Sequence, residues 1–102
     1  MIKPGPTRVI GVDVERAHKH SSHHRVELFR SDRCGCFDCL EIYPAEAIEH
    51  WTDEVAGVGL SALCPGCGTD SVIGSDSGFP VEPWFLERMR ERWFGPRQHA
   101  ER

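Results

Sequence analysis

The sequence predicts a small α+β domain that is held together by a metal site on two cysteine turns, with a β-hairpin and about three short helices. Three observations predict this class. The chain has 102 residues, enough for one small domain. It carries two closely spaced cysteine pairs, and its 10 Gly and 7 Pro place many residues in turns. Apolar side chains alone would leave so short a chain marginal, so we expect a bound metal to contribute stability.

The sequence predicts one domain with short terminal extensions. Residues 1–13 are predicted to be a flexible N-terminal segment, because two prolines and a glycine near its start favour an extended chain. Residues 14–96 form the predicted zinc-binding domain, and residues 97–102 form a frayed C-terminal tail.

Three helices are predicted. The first begins near Ser21 or Ser22 and reaches Phe29, and the second runs from Pro44 to about Asp53, with proline in the first helical position. The third is Pro83 to Phe94, where apolar residues recur at helical spacing before a Gly-Pro stop. The apolar stripes of the first and third helices consist of Val26, Leu28 and Phe29, and of Phe85, Leu86, Met89 and Trp93.

A β-hairpin is predicted around the second cysteine turn. The segments Leu60–Leu63 and Ser71–Ile73 are rich in apolar residues and flank the turn Cys64–Gly68. The two segments are therefore expected to pair with each other, and the tip of the hairpin would carry two thiols.

Four cysteines form the most specific motif of the chain: Cys36 and Cys39 on one turn, and Cys64 and Cys67 on another. A gap of two residues lets both sulfurs of a turn point to one side, so that two turns can surround a single ion. Four thiolates leave no position open for a substrate water, which is typical of structural Zn²⁺ in a zinc-ribbon-like domain. Iron also accepts four thiolates and is the less favoured metal. We expect one Zn²⁺ per chain.

Cys34 is the odd cysteine. It lies two residues before Cys36 and could replace a ligand, remain a reactive thiol or pack beside the site. Packing is the preferred interpretation, since turn geometry favours the two-residue spacing. A redox role for the Cys64–Cys67 pair is disfavoured, because dithiol oxidoreductases place the attacking cysteine at a helix N-terminus, whereas a strand is predicted after this turn.

A histidine cluster offers a second candidate site. His20 and His24 would share one face of a helix, and Glu27 could add a carboxylate, so the three could bind a second metal with open positions. No glutamate lies between the two histidines to act as the general base of a metalloprotease. Solvated or salt-bridged histidines are therefore the preferred interpretation.

Charge is segregated along the chain. Residues 1–33 carry 7 Lys and Arg against 4 Asp and Glu, whereas residues 34–80 carry eight Asp and Glu and no Lys or Arg. Nucleic-acid binding requires several cationic contacts to phosphates, so the middle of the chain disfavours it and only the basic N-terminal stretch could serve it. Contact between the basic and acidic sections within the fold would neutralise much of this charge.

The compartment follows from apolar runs and cysteine usage. No run approaches the ~18 to 20 apolar residues of a membrane span, and the first ten residues contain no apolar stretch typical of a secretion signal. We therefore expect a cytoplasmic protein without a membrane partner. A reducing cytosol disfavours disulfides, and 5 cysteines cannot pair completely, so metal ligation is the leading use of the thiols.

Five segments also carry a resemblance to a known group of proteins. They are Cys34–Cys39, Pro44–Trp51, Ala62–Gly74, Ser77–Pro80 and Trp93–Phe94. Together they resemble a group of small bacterial cytoplasmic proteins with a zinc-ribbon-like cysteine pattern and no assigned activity. The resemblance implies a four-cysteine site and a bacterial cytoplasmic setting, and it implies no substrate.

These observations favour a protein-protein interaction module over an enzyme. The closed thiolate site leaves no position for a substrate. Trp84 lies about 100° around the third helix from Phe85, so it is expected to stay exposed as a partner contact, with burial under the N-terminal segment as the alternative. Two alternatives remain: a nucleic-acid-binding zinc ribbon that uses the basic N-terminal segment, and a metal-dependent hydrolase or nuclease that uses His20, His24 and Glu27.

Overall fold

The computed structural model describes residues 11–95 and confirms a small α+β domain. The helices are α1 (Gly11–His18), α2 (Arg25–Phe29) and α3 (Pro83–Phe94), and the strands are β1 (Cys34–Cys36), β2 (Ile42–Tyr43), β3 (His50–Val55), β4 (Val58–Leu63) and β5 (Val72–Gly74). Single 3₁₀ turns occupy Lys19–Ser21, Ala45–Ala47 and Ser75–Ser77. Of the predicted terminal segments, residues 1–10 and 97–102 lie outside the described residues, so those predictions stay predictions.

Two antiparallel sheets form the β part of the fold. The first contains three strands in the order β2-β1-β5, with Cys34 of β1 opposite Tyr43 on one side and opposite Gly74 on the other. The second sheet is the hairpin of β3 and β4. The central strand β1 leads directly into the first cysteine turn, so the three-stranded sheet fixes one half of the candidate site.

Helix α3 has the bounds that the sequence predicted, Pro83 to Phe94. Proline begins the helix, and Gly95 ends it with a φ of 83°. The inner face of α3 packs against α1 and against Phe37 of the first cysteine turn in one apolar cluster: Val14, Ala17, Phe37, Ile73, Val81, Phe85, Leu86 and Met89. A second cluster surrounds the sulfurs, and it consists of Leu28, Cys34, Cys36, Ala45, Ile48, Ala62, Cys64 and Val72.

The predicted hairpin around the second cysteine turn is wrong. Strand β4 pairs with β3, and β5 pairs with β1 in the other sheet. The turn Cys64–Gly68 therefore connects two sheets. The physical reason lies upstream, where Ala56 and Gly57 both have positive φ values, 53° and 83°. They form a two-residue turn that joins β3 and β4 in a hairpin, so that β5 pairs with β1 and not with β4.

The predicted helix from Pro44 to about Asp53 is also wrong. Only the 3₁₀ turn Ala45–Ala47 follows Pro44, and His50–Val55 is strand β3. Aromatic and β-branched residues within that range suit a strand, and pairing with β4 outweighs the helical spacing.

The first predicted helix is shorter than expected and is preceded by another. Helix α2 begins at Arg25, three or four residues after the predicted start, and α1 was missed. Of the predicted stripe only Leu28 is buried, whereas Val26 is 67% exposed and Phe29 is 49% exposed. A helix of five residues has room for only one or two side chains on its inner face, so it cannot bury a whole apolar stripe.

Candidate metal centre

Two turns of the same backbone form carry the four predicted cysteines. The first knuckle is residues 36–41 and the second knuckle is residues 64–69. In the first, the N–H of Leu40 donates to the carbonyl of Cys36 at 2.8 Å, and in the second the N–H of Gly68 donates to the carbonyl of Cys64 at 2.8 Å. Each knuckle is closed by one more bond, from Cys36 N–H to the Glu41 carbonyl and from Cys64 N–H to the Thr69 carbonyl.

The four sulfurs meet at one point between the knuckles. All four lie within 4.8 Å of one another, with the Cys36 and Cys67 sulfurs 3.7 Å apart and the Cys39 and Cys64 sulfurs 3.6 Å apart. A tetrahedral site with Zn–S bonds of about 2.3 Å has sulfurs about 3.8 Å apart. The separation of the thiols therefore fits one four-coordinate metal ion, and the clustering that the spacing predicted is confirmed.

Backbone amides surround the sulfurs. The sulfur of Cys36 accepts the N–H groups of Asp38 and Cys39 at 3.3 and 3.4 Å, and the sulfur of Cys64 accepts that of Gly66 at 3.3 Å. These bonds leave the sulfur lone pairs that face inward free for an ion, and N–H donors stabilise the charge of a bound thiolate.

Burial makes two of the four thiols, those of Cys36 and Cys39, reluctant to ionise by themselves. Burial raises the pKa of Cys39 to about 11 and also raises the pKa of Cys36. Burial also opposes ionisation of Cys64, but the Tyr43 hydroxyl and nearby backbone N–H groups outweigh it, so its pKa falls to about 7. A coordinated metal ion deprotonates thiols outright, so an ion bound between these cysteines would supply the charge that favours the thiolate form.

Cys34 lies outside this cluster. Its side chain is fully buried, its S–H faces the carbonyl of Leu28 at 3.9 Å, and burial raises its pKa to about 11. It is not among the four sulfurs that converge. The structure therefore agrees with Cys34 as a packing residue in the apolar cluster around the site.

Two hydroxyl groups at the centre were missed by sequence reasoning. The Thr69 hydroxyl lies 3.1 Å from the sulfur of Cys67. The Tyr43 hydroxyl is buried against the sulfur of Cys64 and has no hydrogen bond of normal geometry within residues 11–95. A buried hydroxyl that faces a sulfur fits a site in which that sulfur becomes a thiolate acceptor. Thr69 could have been found, because it holds the position that closes the knuckle, whereas the pairing of β2 with β1 was needed to find Tyr43.

The histidine cluster does not converge on a point. His20 Nδ1 bonds both carboxylate oxygens of Glu27 at 3.0 Å. His24 is buried, and its Nδ1–H donates to the carbonyl of His20 while its Nε2 accepts the N–H of Ala62, at 2.6 and 3.0 Å. Burial lowers the pKa of His24, which agrees with this neutral form. Both nitrogens of His24 are therefore used by the backbone, and among residues 11–95 only the four cysteines form a metal-binding group.

The acidic middle of the chain makes no ion pair with arginine or lysine among the described residues. Within the described part of the chain, the ion pairs that involve arginine are Arg33 with Glu82 and Arg92 with Glu15. Neither uses a carboxylate from residues 34–80. The expected neutralisation of the acidic middle by basic side chains is thus absent from residues 11–95, and most of its carboxylates are exposed: Glu41, Glu46, Glu49, Asp53, Glu54, Asp70 and Asp76.

Trp84 lies where the helical spacing placed it. It is 37% exposed on α3 and meets the buried ring of Phe85 edge-on, with ring centres 5.6 Å apart. Two more aromatic side chains are exposed, Phe94 at the end of α3 and Phe29 on α2. The predicted exposure of Trp84 is confirmed, and its role as a partner contact stays a prediction.

Comparisons of the chain with known protein families, with curated proteins and with solved structures found no match. The resemblance to the bacterial cytoplasmic group therefore stays a prediction. No helix within residues 11–95 is long and apolar enough to cross a membrane.

Proposed function

We propose that the chain is a zinc-stabilised module that works by binding another protein. The observation that carries the proposal is the closed set of four sulfurs, all within 4.8 Å. Four thiolates complete the tetrahedron that Zn²⁺ prefers and leave no position for a substrate, which supports a structural rather than a catalytic ion. When bound, zinc would tie the two knuckles and hence the two sheets together.

The contact surface that we propose includes the exposed side of α3. The ring of Trp84 packs against the ring of Phe85, which restricts its side-chain rotation. A partner that binds Trp84 would therefore lose little side-chain entropy. The exposed carboxylates of residues 34–80 add a field that attracts a basic partner and repels nucleic-acid phosphates. We propose a cytoplasmic setting, since metal-bound thiolates are compatible with a reducing compartment.

Metal analysis of the purified protein tests the first half of this proposal. We expect one zinc per chain, retained through gel filtration and released by a strong chelator. Iron in the same stoichiometry would replace zinc in the proposal, and two ions per chain would favour the metal-dependent hydrolase.

Crosslinking capture from cell extract tests the second half, with Phe29→Ala as the matched control, since both Trp84 and Phe29 are partly exposed aromatic residues on helices. Trp84→Ala is expected to lose partners that the wild type and Phe29→Ala both retain. Fluorescence anisotropy with mixed DNA and RNA at about 150 mM salt should show no submicromolar binding. Equal capture by Trp84→Ala would remove α3 from the contact surface, and tight, salt-sensitive nucleic-acid binding would refute the proposed partner class.

A further inference from the structure

Tyr43 places a buried hydroxyl group at the metal centre, against the sulfur of Cys64. Its oxygen is shielded from solvent and makes no hydrogen bond of normal geometry among the described residues. Buried hydroxyl groups in folded proteins are almost always satisfied, so the group indicates a missing interaction. A phenol hydroxyl can donate its proton to an acceptor that lies beside it.

An acceptor for the Tyr43 hydroxyl lies in the second knuckle, and it is the sulfur of Cys64. Tyr43 is in β2, directly after the first knuckle, and pairs with Cys34 in the sheet. Its ring packs against the apolar cluster that contains Cys36 and Cys64, and its hydroxyl faces the sulfur of Cys64 in the second knuckle. The side chain thus reaches from the sheet of one knuckle to a ligand of the other.

A thiol and a thiolate differ as partners for this hydroxyl. A protonated thiol is a weak acceptor, whereas a charged thiolate forms shorter and stronger hydrogen bonds. A hydrogen bond of normal geometry from the Tyr43 hydroxyl is therefore expected where the sulfur of Cys64 is a metal-bound thiolate. Groups that hold metal ligands in this way commonly change metal affinity 10- to 100-fold.

We propose that Tyr43 is a positioning residue of the metal centre, whose hydroxyl donates to the metal-bound sulfur of Cys64 and fixes the second knuckle on the ion. The inference rests on the proposed zinc site and adds a residue that sets how tightly this site holds its ion. No bond is made or broken except the hydrogen bond itself.

The test compares Tyr43→Phe with wild type in two readouts. Zinc affinity is measured by competition with a chromophoric chelator, and the sulfur-to-cobalt charge-transfer band is recorded after Co²⁺ substitution. Loss of the hydrogen bond should weaken zinc binding about 10- to 100-fold and shift the band to longer wavelength, because the sulfur lone pairs rise in energy. The control is Ser77→Ala, which removes a hydroxyl bonded to the Gly74 carbonyl at 2.7 Å and touches no sulfur. It should leave the band unchanged and the zinc affinity within about twofold of wild type.

A second variant makes the test independent of how well Tyr43→Phe folds. Tyr43 is the single tyrosine of the chain, so biosynthetic replacement by 3-fluorotyrosine alters this position alone and supplies a more acidic donor. The cobalt band should then move to shorter wavelength. A band that moves with neither variant, while wild type holds one zinc, overturns the role of Tyr43 and leaves the zinc site standing. A wild-type protein without stoichiometric zinc overturns both.

Discussion

The two knuckles carry different residues at their fifth position, Leu40 in the first and Gly68 in the second. Both residues have a left-handed backbone, with φ of 70° for Leu40 and 83° for Gly68. Left-handed backbone costs about 1 to 2 kcal/mol for a residue with a Cβ and almost nothing for glycine. The same hydrogen-bonded turn is therefore strained in one knuckle and relaxed in the other.

Packing explains why the first knuckle tolerates leucine. Leu40 is partly buried against the apolar cluster under α3, whereas a Cβ at Gly68 would meet no atom within 4 Å. The first knuckle is thus built into the core through its side chain. The second knuckle connects two sheets, and its shape depends on Gly68 and on the convergence of the Cys64 and Cys67 sulfurs with those of the first knuckle.

Loss of a ligand is the largest expected effect, and it should be the same in both knuckles. Cys36→Ser and Cys64→Ser each remove one of the two buried ligands. Structural zinc contributes an apparent ~10 to 16 kcal/mol in zinc-finger peptides, which exceeds what so small a core supplies. Both variants should lose zinc by mass spectrometry and most far-UV ellipticity, as should wild type after chelation.

Cys34→Ser is the control for those variants. Cys34 is fully buried but lies outside the sulfur cluster, so the variant should keep one ion per chain and lose only about 1 kcal/mol of stability, from a changed buried side chain. Zinc loss in Cys34→Ser with zinc retained in Cys36→Ser would show that the ligands of the first knuckle are wrongly assigned. An unchanged spectrum after chelation would refute the dependence of folding on metal.

Leu40→Gly should destabilise the protein even though it removes backbone strain. Full burial of a leucine side chain contributes about 1.5 to 3 kcal/mol, and the partly buried Leu40 loses a share of this. The freer backbone of glycine costs about 0.5 to 1 kcal/mol and relief of left-handed strain offsets about 1 kcal/mol, so a net loss of roughly 1 kcal/mol is expected. Denaturant unfolding in saturating zinc measures it. A stabilised Leu40→Gly protein would mean that the side chain contributes no packing and that the two knuckles differ only in strain.

Gly68→Ala is the reciprocal change in the second knuckle and should cost about 1 kcal/mol, entirely through strain. Gly66→Ala is the matched control in the same turn. Gly66 has no positive φ, and its new Cβ would meet only the carboxylate end of the flexible Glu41 side chain. We expect Gly66→Ala to change the unfolding free energy by less than about 0.5 kcal/mol, and equal effects at both glycines would refute strain as the cause.

The same contrast explains what the sequence could predict. The ligands and α3 were predictable, because cysteine spacing and the apolar residues of one long helix act locally. Segments of β4 and β5 were predicted as strands, but β3 and the pairing of the strands were not, because a helix-like apolar spacing around Trp51 concealed the two-residue turn at Ala56 and Gly57. The partner of β5 depends on β1, far away in sequence, and no local pattern reports it.

The smallest effect that we expect is a loss of stability at low pH in β4, the strand that leads into the second knuckle. His24 Nε2 accepts the N–H of Ala62 on β4, two residues before Cys64, and burial lowers the pKa of His24 below the usual 6.5 of histidine. The folded state therefore favours neutral His24 more than the unfolded state does. Its contribution is fully present above about pH 6.5 and is lost as the pH falls below that value.

His24→Gln isolates this contribution, since glutamine does not titrate and its carbonyl oxygen can still accept the Ala62 N–H. Unfolding free energies of both proteins are measured in saturating zinc from pH 8 to pH 5, so that proton competition at the cysteines cancels in the difference. Wild type should lose more stability than His24→Gln below about pH 6.5, and hydrogen exchange should quicken in β4 before β1. Parallel curves would show that His24 does not couple protonation to the strand that leads into the second knuckle.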